Sequence, residues 1–334
     1  MANNQSLVLD TTNHQNILCN VSKFVPPIIL NHGDRAAHKY IEYFIGQIRN
    51  PNTRQAYGRS VVDFFFWCEN TAHVERLEQI QYFHVATYVE GLDLSPASVS
   101  QKLAAIRQLF AWLVKEGVLS ASPAANIKGP KIRIKVGKTP ILNADEMRPL
   151  LDSIDRSTII GLRDLALISV MTFTFARISA VVAMNYQDYF TQGARRWIRL
   201  HEKGGKYLEV PLHHTADMYL YSYVEALEKQ YEGNIPKKSP LFRTQTGRRK
   251  TMSDNRLHRG NAYDMVKRRA RKAGLSVNVC NHTFRGTGIT NYLENGGTRD
   301  IAQELAGHED VKTTALYDRR SNKISLNEIE RMRF

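Results

Sequence analysis

Cysteine is scarce in this chain. The three present, Cys19, Cys68 and Cys280, are an odd number without metal-ligand spacing. That excludes a disulfide framework and a zinc site, and leaves small core residues as the expectation. No apolar run is long enough to span a bilayer and the opening Met-Ala-Asn-Asn-Gln does not begin a signal peptide, so a soluble, cytoplasmic chain with no membrane partner is expected. An acidic metal cluster and a phosphate-binding glycine loop are both missing, and no cofactor is expected. Acid is short as well: 32 Asp plus Glu stand against 46 Lys plus Arg, a formal net charge of +14. With a pI near 9.7, that balance calls for a polyanionic partner, because Lys and Arg that neutralise phosphates release condensed counterions. Charge alone does not choose between DNA and RNA.

With 334 residues and 43% apolar content the chain can fill two cores. The boundary is expected in a linker over 128–142. There Gly129, Pro130 and Pro140 join five Lys or Arg, Lys131, Arg133 and Lys135 among them, without an acid. A solvated tether is one reading, and a strap along a nucleic-acid backbone is the other. Residues 1–32 show no periodicity and read as a flexible arm. From 33 to 127 the pattern is helical. Val99, Leu103, Ile106, Phe110, Leu113 and Val114 form an apolar stripe from Pro96 to Glu116, stopped by Gly117, with Lys102 and Arg107 off it. A second helix is expected over Asn52 to Asn70, with Tyr57, Val61, Phe64, Phe65 and Cys68 inward and Arg54 and Arg59 outward. These four basic residues are candidate phosphate contacts.

Past the linker, over 143–321, Asn143 followed by Asp145 and Glu146 marks a helix N-terminus, and Leu150-Leu151 should be buried. Thr158 to Val182 is strongly apolar with Arg177 inside it, and a charge in such a stretch requires an anion or a structural carboxylate. From Trp197 to Pro211, β-compatible residues flank Gly204-Gly205, a hairpin with Lys203 beside its tip. Between Arg243 and Lys272 eleven basic residues meet two acids. Arg248, Arg249 and Lys250 form one cluster; Lys267, Arg268, Arg269 and Arg271 lie in another, on a helix begun near Asn261. Phosphate contacts explain such clusters better than salt bridges. His282 and Arg285, three apart, share a helix face. Thr298 to Ala306 reads as a short helix with Ile301 and Leu305 inward, Gly307 as its stop and His308 just past the break; nine residues on stands Tyr317. Ser325 to Glu328 is a capping box opening a C-terminal helix over 322–334.

As a set, Arg177, Lys203, His282, Arg285, His308 and Tyr317 resemble the reactive box of the tyrosine recombinases, the phage-integrase family. The tightest match is Asn281-His282-Thr283-Phe284-Arg285, followed by Gly307-His308 and Tyr317. The resemblance implies a mainly α chain with a small β-sheet: a helical SAM-like core-binding domain and a catalytic domain that close as a clamp on double-stranded DNA. It implies a site-specific recombinase (integrase) that cleaves and rejoins strands through a 3′-phosphotyrosyl intermediate, integrating, excising or resolving mobile DNA in the nucleoid. A homotetramer on two paired sites, accessory proteins and a C-terminal segment docked on a neighbouring protomer come with it, without metal or ATP. By carry-over, Lys203 is the hairpin lysine and Tyr317 the nucleophile. Chemistry assigns the other roles. A phenol of pKa near ~10 must lose its proton as it attacks phosphorus, and His282 is the base. Arg177 and Arg285 clamp the non-bridging oxygens, His308 is a further donor, and Lys203 protonates the leaving 5′ oxygen.

Three positions depart from the family pattern. Thr174 is followed by Phe175 where glycine is usual, and Gly286 follows Arg285 in place of a histidine. Ala180 stands where an acid would orient the first arginine, a task for which Asp164 and Asp188 are the candidates. Two rivals therefore stand beside the favoured reading: a type IB topoisomerase, with the same chemistry and no defined site, and a catalytically silent sequence-specific DNA-binding protein.

Overall fold

Proline and polar caps set where the helices of the first half begin. The computed structural model describes residues 25–131, 139–201, 207–247, 251–275, 278–308 and 310–318, and the first of its two units covers Met1–Arg133. The helices of that unit are α1 (Pro27–Leu30), α2 (Asp34–Glu42), α3 (Pro51–Asn70), α4 (Tyr82–Glu90) and α5 (Pro96–Lys115), with a π-helical turn at Tyr43–Gln47. Asn50 caps α3 by accepting from the amides of Asn52 and Thr53, and Pro51 supplies a preset φ at the first position. Ser95 and Pro96 do the same for α5, which Gly117 follows in the left-handed conformation at φ +67°. Val61, Phe64, Phe65 and Cys68 of α3 share one core with Leu103, Ile106, Phe110 and Leu113 of α5. Each large apolar side chain contributes about 1.5–3 kcal/mol by leaving water.

That core also takes in residues read as arm. Val25, Ile28 and Ile29 are buried, and the Ile28 amide donates to Glu69 Oε1 at 2.8 Å. Adjacent isoleucines in a four-residue helix offer no periodicity to detect, so the arm is shorter than 1–32. Its remainder, 1–24, lies outside the described residues, as does the expected C-terminal helix over 322–334.

The second unit, Ile134–Phe334, runs through α6 (Ala144–Asp152), α7 (Ile159–Phe173), α8 (Ile178–Ala183), β1 (Tyr189–Gln192), β2 (Arg195–His201), β3 (Tyr207–Pro211) and α9 (His214–Gln230), then β4 (Arg243–Gln245), β5 (Met252–Arg256), α10 (Arg259–Lys272), α11 (Asn281–Glu294), α12 (Arg299–Ala306) and α13 (Val311–Ala315). β1, β2 and β3 form an antiparallel meander and β4 pairs with β5. Buried on nearly every face, α7 packs against both α9 and α11. Gly288 permits the close approach of α11: a Cβ there would stand 1.9 Å from the Thr172 carbonyl oxygen. The helix N-terminus expected at Asn143 opens α6 and is a capping box with Glu146; Leu150 is buried and Leu151 partly so.

One sequence-based expectation changes here, that Ile301 faces inward. The apolar stretch 158–182 is two helices: α7 ends at Phe173, Phe175 turns the chain at φ +55°, and Arg177 occupies extended backbone as the N-cap of α8. In α12, Ala302 and Ala306 face the core while Ile301 is exposed. Where α12 meets Ile289 and Leu293 of α11, the methyl groups of Ala302 and Ala306 are buried, and Leu305, expected inward, packs there partly buried.

Candidate active site

His282 and Arg285 lie on the first turns of α11. His308 follows Gly307, whose φ of 56° and ψ of 44° end α12 in a left-handed cap. Packing of α11 on α7 and of α12 on α11 gathers five of the six predicted residues. Tyr317 Oη stands 2.6 Å from His282 Nε2. The Tyr317 and His308 rings are within 8° of parallel at 6.0 Å between centroids. Arg177 Nη2 donates to the Gly307 carbonyl at 3.2 Å. Lys203 lies outside the described residues; the flanking strands pair His201 with Tyr207, in the antiparallel register of a hairpin.

Arg285 is 1% exposed. One Nη donates to the Phe175 carbonyl and the other to the Ala306 carbonyl at 2.6 Å. The latter is an orphan acceptor at the end of α12, so the guanidinium satisfies a helix terminus as well as placing charge in the cluster. Phe175 adopts the left-handed conformation that glycine takes without strain, at a cost of about 1–2 kcal/mol. Its ring offsets that cost by packing with Ile289, Leu293, Ala302, Ala306 and Tyr317, and meets Tyr292 edge-on at 5.8 Å. Ala180 is a core residue. The two carboxylates considered in place of the family acid are held elsewhere. Asp164 bonds Arg163 at 2.6 Å and Arg269 at 2.7 Å, and Asp188 accepts from the Asn185 amide at 2.8 Å and lies 3.3 Å from His201 Nε2.

Burial, then the charges of Arg285 and Arg177, holds His282 below its ordinary pKa. The same causes, with His282 added, bring His308 down to about 4. Both imidazoles are therefore neutral near pH 7. Burial raises the Tyr317 phenol, and Arg285 and Arg177 pull the other way. When the phenol donates to His282 Nε2, the imidazole proton sits on Nδ1. His308 Nδ1 stands 2.9 Å from Thr314 Oγ1.

Sequence reasoning missed the residues that hold the backbone at Tyr317. Thr290 Oγ1 donates to the Tyr317 carbonyl at 2.8 Å, and Arg299 Nε to Asp318 at 2.6 Å. A helical threonine and a surface arginine carry no local signal; only the packing of α11 and α12 reveals them.

The candidate phosphate contacts divide. Arg59 and Lys131 are exposed, as are Arg268 and Arg271 on α10, and Lys267 lies over the Tyr263 ring at 5.3 Å. Arg107 keeps a buried Nε without a hydrogen-bond partner among the described residues. Arg54 instead donates to the Ile48 carbonyl at 3.1 and 2.9 Å, closing the turn before α3, and Lys102 is paired with Asp63 at 2.5 Å. Arg269, from the same basic run as Arg268, is a buried-triad partner of Asp164. Arg133, Lys135, Arg248, Arg249 and Lys250 lie outside the described residues.

Comparison with known proteins agrees with this geometry. The phage integrase family profile matches residues 140–323, and its N-terminal SAM-like domain profile matches residues 37–117. A tyrosine recombinase XerD of Corynebacterium glutamicum is 31% identical over 278 residues, 80% of this chain and 86% of that protein. Two solved structures share the fold. The XerH site-specific recombinase bound to its difH substrate in a pre-cleavage complex superposes with a TM-score of 0.66 at 20% identity, over 92% of this chain and 96% of that one. A lambda integrase dimer bound to a COC′ core site gives 0.64 at 16% identity, over 95% and 85%. With more than half of its length matched by one profile, the chain belongs to the phage integrase family, the tyrosine-type site-specific recombinases that cleave and rejoin DNA.

Proposed function

We propose that the chain cleaves duplex DNA at a defined site by attack of Tyr317 on a phosphodiester and rejoins it to a new partner strand, so integrating, excising or resolving mobile DNA. The observation that carries this reading is the 2.6 Å contact between Tyr317 Oη and His282 Nε2, under the charges of Arg177 and Arg285. The new O–P bond forms as the phenolic proton passes to neutral His282. Arg177 and Arg285 meet the charge of the pentacoordinate transition state, where one well-placed donor is worth about 10²–10³ in rate. His308 presents Nε2–H as a further donor when Nδ1 accepts from Thr314. Lys203 delivers a proton to the departing 5′ oxygen. The 3′-phosphotyrosyl bond conserves the energy of the bond broken, so the 5′ hydroxyl of another strand reverses the attack.

Double-stranded DNA is the proposed partner, contacted at phosphates by Arg59, Arg107, Lys131, Lys267, Arg268 and Arg271, and by Arg133, Lys135, Arg248, Arg249 and Lys250 on the ground of charge. Exchange between two duplexes opens four strands, and each protomer brings one Tyr317, so a homotetramer on two paired sites is the proposed assembly. The nucleoid is where such a substrate is found. Phe175 favours an active enzyme over the silent alternative, because it keeps the left-handed backbone of a glycine and presents its carbonyl to Arg285.

A duplex carrying the cognate site and a nick that traps the intermediate tests this on a denaturing gel. The expected result is a covalent adduct confined to that site and lost in Tyr317→Phe. Adduct on any duplex would indicate a topoisomerase, and specific binding without adduct a silent binder.

A further inference from the structure

Tyr317 is supported on a second side, away from His282. A Cβ on Gly286 would stand 3.1 Å from Cε1 and 3.4 Å from Cδ1 of the Tyr317 ring, and 3.5 Å from Cγ1 of Ile141. The space left by this glycine is therefore shared by the Tyr317 ring and an isoleucine at the end of the 128–142 segment. Ile141 packs on the cluster formed by Phe175, Ile289, Leu293, Ala302, Ala306 and Tyr317. Its neighbour Leu142 is buried and donates its amide to Thr287 Oγ1 at 3.0 Å, which fastens the segment to α11 beside Gly286.

We propose that Ile141 is a positioning residue for Tyr317: together with Gly286 it forms a seat that keeps the phenol within hydrogen-bond reach of His282. The proposal rests on Tyr317 being the nucleophile. With the backbone at 317 held by Thr290 and, one residue on, by the Arg299–Asp318 pair, the ring's remaining freedom is rotation about its own side-chain torsions. Ile141 closes one direction of that rotation. The same packing places residues 141 and 142 beside the Tyr317 ring and α11. Gly286 is equally constrained, since any side chain there presses on the ring at a distance tighter than ordinary contact. The histidine usual in the family at this place is therefore an unfavourable substitution in this chain.

The test uses full-length Ile141→Ala, Ile141→Val, Gly286→Ala and Gly286→His. Adduct formation on the nicked cognate duplex is timed at saturating DNA from about pH 7 to about pH 9, beside DNA affinity and thermal unfolding. Ile141→Ala is expected to slow the adduct roughly tenfold to a hundredfold, the scale of a misplacement near 1 Å, with DNA affinity unchanged. A ring turned from its base relies on ionised phenol, so the deficit should shrink as pH rises. Ile141→Val should recover most of the rate, and Gly286→Ala and Gly286→His should lose it progressively from the helix side. An Ile141→Ala rate equal to wild type, or a deficit constant across the pH range, overturns the seat. The underlying reading fails separately: an adduct that survives in Tyr317→Phe removes the nucleophile itself, whereas a Tyr317-dependent adduct insensitive to residues 141 and 286 removes only the seat.

Discussion

The Tyr317 hydroxyl and His282 Nε2 stand 2.6 Å apart within one chain. The proposed nucleophile and its proposed base thus meet within one protomer. His282→Ala is expected to lower the adduct rate by about 10²–10⁴, the usual worth of a positioned base. A mixture of Tyr317→Phe and His282→Ala protomers should cleave no faster than His282→Ala alone. Recovery of adduct in the mixture would mean that the tyrosine is donated between protomers.

His282 accepts a proton only while neutral. Because burial and the two arginines hold it below 6.5, cleavage at saturating DNA should decline in acid with a midpoint below 6.5. A decline centred above 6.5 would contradict the assignment.

Acid should also weaken the fold through His308, whose pKa is about 4 against an ordinary 6.5. Between those values the unfolded chain binds a proton that the folded chain refuses, so stability falls as pH drops through this window and levels below it. Denaturant unfolding as a function of pH should show the slope, and His308→Asn should flatten it.

Phe175→Gly sets strain against burial. Relief of the left-handed backbone returns about 1–2 kcal/mol, and loss of a buried phenylalanine ring costs about 3–5 kcal/mol. A net destabilisation of about 1–4 kcal/mol is expected. The carbonyl offered to Arg285 remains, so the adduct rate per folded molecule should hold. A large rate loss without a change in Tm would reverse this view.

On α10, neighbouring arginines should behave oppositely. Arg269→Ala removes one of the two cations bonded to buried Asp164 and should lower stability by about 1.5–3 kcal/mol. The exposed Arg268 and Arg271, changed to Ala, should leave Tm alone and weaken DNA binding. For every phosphate that a substitution leaves without its cation, the dependence of log affinity on log salt should flatten by about 0.9. Equal effects of all three changes on Tm would remove the distinction.

The helices were legible where their signals are local. The stripe from Val99 to Leu113 and the cap at Asn143 depend on residues three or four apart, and each appears in the fold. The short α1 and the break at Phe175 were not, because neither has a period or a turn residue. Ile301 was misplaced for a related reason: its apolarity suggests burial, but the distance between α12 and α11 decides which side chain fits.

By itself, then, the amino-acid order determined the basic surplus, the helix boundaries that have local signals, and the set of residues proposed to attack, accept and clamp. Tertiary structure decided what each of them touches. Arg285 meets the carbonyl of Phe175 across 110 positions, and Leu142 meets Thr287 across 145. It also turned Arg54 and Arg269 from candidate phosphate contacts into structural donors and set Tyr317 between His282, Gly286 and Ile141. Local pattern encodes energies between near neighbours in the chain, whereas these contacts exist only once α7, α11 and α12 have packed.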